Sequence, residues 1–304
     1  MISRRRFLKL ASGGIVTAAA LGSYAFGFEP LVRLQTTHYQ PEIANWPRGM
    51  KLRIAALADL HACKPWMDID RIRQIVERTN ALKPDLIVLL GDYTTGMNIA
   101  TEPLHSTEWG PELGKLSAPL GVHAVLGNHD WWEDRVAQRL GKGPTFVHRA
   151  LENAGINVLE NDAVRLKHGA KSFWLAGLGD QLAFPPYRRF NRKRWKTMDD
   201  LDGTLAKLSG DDPAILLAHE PDIFSRVPDR FGLTLSGHTH GGQVRLMGYS
   251  PVTTSGQRLN YGHVREGDRN LIVSGGLGCS MLPIRFGSPP EIVLVEPVGC
   301  VTPG

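Results

Sequence analysis

Cysteine is scarce in this chain: Cys63, Cys279 and Cys300 are the only three among 304 residues. Their number and scatter exclude a disulfide framework and a Cys-x-x-Cys zinc site, and leave at most one pair to form in an oxidising compartment. Repeats at solenoid periods and low-complexity stretches are absent too, which excludes stacked-repeat architectures and points to an ordinary packed core. Acidic residues are missing from the first 28 positions, where Arg4, Arg5, Arg6 and Lys9 hold four of the five net positive charges. The remaining chain is nearly neutral, so nucleic acid is not an expected partner. One local exception is YRRFNRKRWK, Tyr187 to Lys196, with six basic residues among aromatics.

What is present begins with an address. SRRRFLK, Ser3 to Lys9, precedes nineteen uncharged residues, Leu10 to Phe28, rich in alanine and glycine. A charged start followed by a mildly apolar run is the form of an export signal. The adjacent arginines followed by Phe-Leu-Lys resemble the twin-arginine signal of bacteria, which is read by a receptor. Gly13, Gly14, Gly22 and Gly27 argue against a buried first helix. Residues 1–29 are therefore expected to be a twin-arginine export signal or an uncleaved anchor, followed by a linker at 30–50, a single domain at 51–297 and a tail at 298–304. Location in the periplasm or on the outer face of the cytoplasmic membrane follows, with the twin-arginine machinery as a partner.

From Lys51 onward, five short aliphatic runs each end in polar residues: LRIAALADLH (52–61), DLIVLLGDY (85–93), GVHAVLGNHD (121–130), AILLAHEPD (214–222) and LTLSGHTHGG (233–242). Such runs bounded by Gly, Asp or Asn predict buried strands. Between the first two, Ile69, Ile72, Ile75 and Val76 fall at helical spacing, with Asp68 as N-cap and Pro84 as the stop. The strand–helix–strand unit predicts an α/β fold with parallel pairing.

Ligands of open α/β sheets sit beyond the carboxyl ends of the strands. At those ends stand Asp59 and His61; Asp92; Asn128, His129 and Asp130; His219; and His238 with His240. Carboxylates, imidazoles and an amide oxygen without thiolates suit Mn, Fe or Zn in a catalytic role rather than structural zinc. Extended backbone would point Asp59 and His61 to one face, and likewise His238 and His240. Glycines beside Asp92, Asn128, His238 and His240 let backbone approach the ligands closely. The six remaining histidines, His38, His105, His123, His148, His168 and His263, are expected to be surface, core or hydrogen-bonding residues.

The ordered series D-x-H, G-D, G-N-H-D, H and G-H-x-H resembles the calcineurin-like metallophosphoesterase superfamily, over about Lys51 to Pro297. The closing stretch Gly275 to Val295 and the Gly-Gly-Gln after the histidine pair look like its branch of small exported or membrane-associated bacterial phosphodiesterases. The resemblance implies a four-layer α/β sandwich, two packed mixed β-sheets flanked by α-helices, and a site for two divalent metal ions, Mn being favoured over Fe or Zn. It implies that Asp59, His61 and His240 hold the first ion, Asn128, His219 and His238 the second, and that Asp92 bridges them. His129 would be the non-ligand catalytic histidine. Two ions about 3.5–4 Å apart clamp phosphate oxygens and activate a water for in-line attack, with His129 assisting at the phosphate or leaving group.

Thr95 departs from the pattern, since many relatives have an acidic residue there, three after the bridging Asp, to orient the histidine. Protein-phosphatase motifs are also absent. These features weigh against a phosphoprotein substrate and point to a phosphodiester or pyrophosphate of small or lipid-like kind outside the cytoplasm. A phosphomonoesterase with the same site, or a non-catalytic metal- and phosphate-binding protein of the same fold, are the alternatives. Residues 187–196 are expected to cover the site, to touch an anionic membrane surface, or simply to be a solvated charged face; the chain is expected to be a monomer.

Overall fold

The computed structural model describes residues 4–97, 102–186 and 193–299. Its frame is two six-stranded mixed sheets. In chain order the strands are β1 (Gln35–Tyr39), β2 (Ile54–Leu57), β3 (Leu86–Leu89), β4 (Val122–Ala124), β5 (Asn157–Val158), β6 (Asp162–His168), β7 (Lys171–Gly177), β8 (Ala214–Leu217), β9 (Phe231–Ser236), β10 (Gly262–Glu266), β11 (Arg269–Val273) and β12 (Glu291–Val295). The first sheet runs β1-β12-β2-β3-β4-β5 and the second β10-β11-β9-β8-β7-β6. β2, β3 and β4 are mutually parallel, as are β7, β8, β9 and β11.

Period-two alternation builds the layers. Ile54, Ala56, Leu86 and Val88 face the second sheet, meeting Phe173, Leu175, Ile215, Leu217, Leu233 and Leu235 in one apolar layer. Ala55, Leu57, Ile87 and Leu89 turn the other way, onto Ile72, Ile75 and Val76 of the helix Ile69–Ala81 and onto Trp109 and Val147. Ala214, Leu216, Leu271 and Val273 pack outward against Ile223 and Phe224. Strands buried on both faces read as unbroken aliphatic runs, which is why the sequence announces them. Burying each Val, Leu, Ile or Phe side chain among them is worth roughly 1.5–3 kcal/mol. The result is the expected four-layer sandwich, with its parallel strand ends all on one side.

Asp68 caps the helix Ile69–Ala81, accepting from the Arg71 N–H at 2.8 Å. The expected linker is corrected by the structure. β1 lies parallel to β12, Glu42–Ile43 pairs with Val298–Gly299 of the expected tail, and Trp46, Met50 and Leu52 are buried between the sheets. QTTHY in β1 is polar because an edge strand needs no apolar run. At the N-terminus Arg4–Ser23 is helical, with its described side chains from Ser12 to Ala20 exposed. Among the described residues no helix is long and apolar enough to cross a membrane.

Candidate metal centre

All five polar clusters converge beyond the strand ends. Asp59 and His61 follow β2, Asp92 follows β3, Asn128 and His129 follow β4, His219 follows β8, and His238 and His240 follow β9. Asp59, His61 and His240 form one ligand group and Asp92, His219 and His238 a second, each with ligand atoms within 4.8 Å of one another. His61 Nε2 lies 3.0 Å from His240 Nε2, and His240 Nε2 lies 3.6 Å from Asp59 Oδ1. In the second group His219 Nε2 stands 3.3 Å from Asp92 Oδ2. Asn128 joins it through Oδ1, 2.9 Å from His238 Nδ1. The same Asp92 Oδ2 is 3.5 Å from His61 Nε2, so one carboxylate oxygen faces both groups.

The extended backbone expected for the paired ligands is not what the structure shows. Asp59, His61, Asp92, His238 and His240 have φ of 54°, 47°, 59°, 70° and 53°. This left-handed conformation costs about 1–3 kcal/mol per residue and concentrates at functional sites; Asp and His tolerate it better than most. Its consequence is directional. His238 and His240, which an extended chain would align, diverge into different groups. Thr239 turns away between them and donates to Asn260 O at 2.7 Å. Gly127 has to be glycine, because a Cβ there would lie 2.4 Å from Asp92 Oδ1 and 2.7 Å from the His219 ring.

Hydrogen bonds to carbonyls, which can only accept, set the imidazole tautomers. His61 Nδ1–H donates to Thr94 O at 2.9 Å and His219 Nδ1–H to Leu90 O at 2.6 Å, which leaves each Nε2 lone pair free for a cation when the ring is neutral. Burial pushes His61 down to about 3, keeping it neutral. Burial, then His61 and Arg285, holds His240 well below the usual range. Burial, with the Asp92 charge added, pushes Asp59 up to about 7. Against the same burial, His219, His129 and His61 hold Asp92 well below the usual carboxylate range. Asp59 Oδ2 and His219 Nε2 are buried without hydrogen-bond partners. Buried polar atoms are rarely left so, and two dications would satisfy both while restoring the charge of Asp59. The seven residues therefore fit a dinuclear divalent centre.

Asp130 proves to be a brace. Its Oδ2 accepts from the N–H groups of Asp92 and Gly127, both at 2.9 Å, and Oδ1 from Tyr93 at 2.9 Å and Thr94 at 3.3 Å. Burial and Asp92 push it up to about 7, but four N–H donors leave no lone pair for a proton, so the carboxylate is ionised. His129 is the second residue of a short helical turn, Asn128–Trp132, and its backbone N–H donates to Asp92 Oδ1 at 2.9 Å. Its ring lies 5.1 Å from that of His61 and 5.1 Å from that of Trp132. Thr95 does not orient it: the Thr95 hydroxyl accepts from Met97 N–H at 3.2 Å.

Two residues near the ligands escaped the sequence reading. Glu133, one helical turn beyond His129, sets Oε1 3.9 Å from His129 Nδ1; its signal was the i,i+4 spacing, hidden because this stretch reads as a strand end. Arg285, fully buried, places Nη2 3.3 Å from His240 Nδ1 and donates to the carbonyls of Gly278 and Ser288. Its only sequence signal was its place in the closing Gly275–Val295 stretch. None of the other six histidines joins either ligand group; His123, for one, is held by Leu120 O and Asn157. Of the basic stretch, residues 187–192 lie outside the described residues; Trp195 is half-exposed, 6.4 Å ring to ring from Trp132, which neighbours His129. Cys63 and Cys279 are free buried thiols that share a small cluster with Met97.

Known proteins resemble this chain over most of its length. The pattern of the calcineurin-like phosphoesterases matches residues 52–242. The uncharacterized metallophosphoesterase YkuE of Bacillus subtilis is 32% identical over 305 residues, covering 96% of either chain. Phosphodiesterase YaeI of Escherichia coli is 29% identical over 306 residues, covering 97% of this chain and 99% of its own. An uncharacterized metallophosphoesterase of Aquifex aeolicus is 29% identical, covering 91% and 96%. The match runs through every strand end that carries a ligand, and the chain belongs to the calcineurin-like phosphoesterase family of metal-dependent phosphoester hydrolases.

Proposed function

We propose that this protein is a dinuclear-metal phosphodiesterase acting on small or lipid-like phosphodiesters or pyrophosphates outside the cytoplasm. The observation that carries the reading is the pair of ligand groups joined by Asp92 Oδ2, with Asp59 Oδ2 and His219 Nε2 left unpartnered toward them. Asp59, His61 and His240 would hold one divalent ion, Asn128, His219 and His238 the other, with Asp92 shared. When bound, the two ions supply Lewis-acid stabilisation of phosphoryl oxygens and an acidified water at neutral pH. The chain's own residues hold the site dry and shaped. Burial favours the neutral form of His61, His238 and His240, while the Asp92 charge raises His219 well above the ordinary histidine value against its burial. Asp130 fixes the loop of Asp92, and Arg285 keeps a positive charge behind His240.

His129 supplies the proton. Despite its burial, the charges of Asp92 and Glu133 raise it above the ordinary histidine value. A protonated ring there donates to the phosphate or to the leaving oxygen, a role worth typically 10²–10⁴-fold in rate. The name of the Escherichia coli relative supports diester preference, and the missing acid at Thr95 supports a substrate class other than phosphoproteins. The arginine-rich start supports export by the twin-arginine route to the periplasm or outer membrane face. Manganese is the proposed metal and the protein is proposed to act as a monomer.

The test is turnover of bis(p-nitrophenyl) phosphate with Mn²⁺. Wild type hydrolyses it; His129→Ala and Asp92→Ala lose activity by at least a hundredfold, the second with loss of bound metal. Unchanged activity in both variants would overturn the mechanism.

A further inference from the structure

Two loops packed near the His240 turn carry apolar surface that phosphate chemistry does not require. Leu246, Met247, Tyr249, Val252, Met281 and Leu282 are all exposed, Met247 completely and Met281 by 78%. Both methionines have φ in the left-handed region, 50° and 59°. The backbone thus accepts strain at residues that bury nothing.

These tips are held firmly. Arg245 N–H donates to Phe286 O at 2.7 Å, Gln243 Nε2 to Leu282 O at 3.1 Å, and Ser280 N–H to Gln243 Oε1 at 2.6 Å. Leu246 and Tyr249 exchange backbone bonds at 2.9 and 3.0 Å. Both loops lean on the ligand loop, since Ser250 Oγ donates to Gly241 O at 2.7 Å and Ser288 Oγ to His240 O at 3.1 Å.

The end of the N-terminal helix is fastened to the same loop. The Glu29 carboxylate accepts from Gly287 and Ser288 N–H at 3.1 and 2.8 Å. Arg285 N–H donates to Ala25 O at 2.9 Å, and the Tyr24 ring stands edge-on to Phe286 at 5.7 Å. Ile15, Val16, Leu21, Phe26 and Phe28 are exposed along this segment.

Charge identifies the occupant. No acidic residue occurs in the first 28 residues, where Arg4 and Arg5 are exposed, or in loops 243–252 and 280–286, where Arg245 lies over the Tyr261 ring at 4.2 Å. Beyond the loops Arg258, Arg265 and Arg269 are already paired with Glu266, Glu42 and Asp229, and Arg285 is buried. A second copy of the chain would bring the same sign of charge to the contact. A bilayer with anionic headgroups brings the opposite sign and accepts apolar tips at its acyl boundary.

We propose that loops 243–252 and 280–286, with the adjoining end of the N-terminal helix, dock on an anionic phospholipid bilayer and present its phosphoesters to the metal centre. The substrate half of this rests on the phosphoesterase reading; the contact itself does not.

The experiment measures co-sedimentation of the full chain with vesicles of phosphatidylglycerol and phosphatidylcholine, against vesicles of phosphatidylcholine alone, for wild type and for Met247→Asp/Met281→Asp. Aspartate adopts left-handed backbone readily, so the fold is preserved. Wild type is expected to bind the anionic vesicles at least tenfold better than the neutral ones, and the double variant to lose at least tenfold in binding. Its turnover of soluble bis(p-nitrophenyl) phosphate is expected to stay within twofold of wild type. Equal vesicle binding by variant and wild type overturns the proposal. So does a dimer in sedimentation velocity that the variant abolishes while neither protein binds vesicles. Vesicle binding that responds as expected in a protein without turnover supports the contact and overturns the phosphoesterase reading instead.

Discussion

Replacing Asp130 with asparagine tests how the ligand loop is held. The substitution keeps shape and removes only charge and one acceptor. Asp130 is fully buried, and its two oxygens receive the N–H groups of Asp92 and Gly127 on one side and of Tyr93 and Thr94 on the other. Whichever way the amide sits, its NH₂ faces one of these donor pairs. At least two hydrogen bonds to a charged group are lost, each worth about 1.5–3 kcal/mol, or roughly 3–6 kcal/mol together. With an unfolding entropy of about 2.1 cal/mol/K per residue, a chain of 304 residues then loses roughly 5–9 °C in Tm. The Asp92 backbone is one of the released donors, so the carboxylate that faces both ligand groups loses its position as well. Differential scanning calorimetry and metal analysis on Asp130→Asn are expected to show the lower Tm and less than two equivalents of bound metal. A variant that melts within about 2 °C of wild type and holds two metals refutes the brace.

Other consequences are equally open to measurement. Glu133→Ala is expected to lower kcat on bis(p-nitrophenyl) phosphate by about tenfold with KM and metal content unchanged, because only the carboxylate beside His129 is removed; a wild-type kcat shows that Glu133 does not position the ring. Deleting residues 1–39 removes β1 and Glu29, and should destabilise the protein by more than about 4 kcal/mol in denaturant unfolding, a size reached by losing buried networks; a truncated protein of wild-type stability would restore the linker reading of this segment. Exhaustive chelation is expected to lower Tm and Mn²⁺ to restore it, since an ion that binds only the folded state stabilises it by mass action. Glu160 above all, then Glu152, raises His148 above the ordinary histidine value. Stability from this contact is fully present below about pH 6.5 and lost as pH rises through the raised folded value; His148→Ala should flatten the fall in Tm over that window, and an unaltered pH profile would remove the contact from the account.

Local pattern was enough to mark the central strands and the polar groups at their ends. β2, β3, β8 and β9 are covered on both faces, and double burial writes itself as an aliphatic run that stops where the ligands begin. The helix Ile69–Ala81 was equally plain, because its spacing and its Asp68 cap are local properties. Edge strands gave no such sign. β1 and β6 expose part of each face and mix polar with apolar residues, so Gln35–Tyr39 read as linker. The end of β4 misled differently: the strand stops at Ala124, and Asn128–Trp132 turns helical, which brings Glu133 beside His129.

By itself the sequence determined which donors line the centre, because side-chain chemistry and order along the chain are written there: carboxylate, imidazole, amide, and no thiolate. Only the tertiary structure decided their directions. Asp59, His61, Asp92, His238 and His240 take left-handed backbone that no local preference would select. Distant contacts hold it: Asp59 Oδ1 accepts from the His238 N–H, 179 residues away, at 2.9 Å. Arg285 next to His240 and Glu29 beneath that loop are settled the same way. Neither has a local pattern to reveal it, since a buried charge finds its partners only once the sheets have packed.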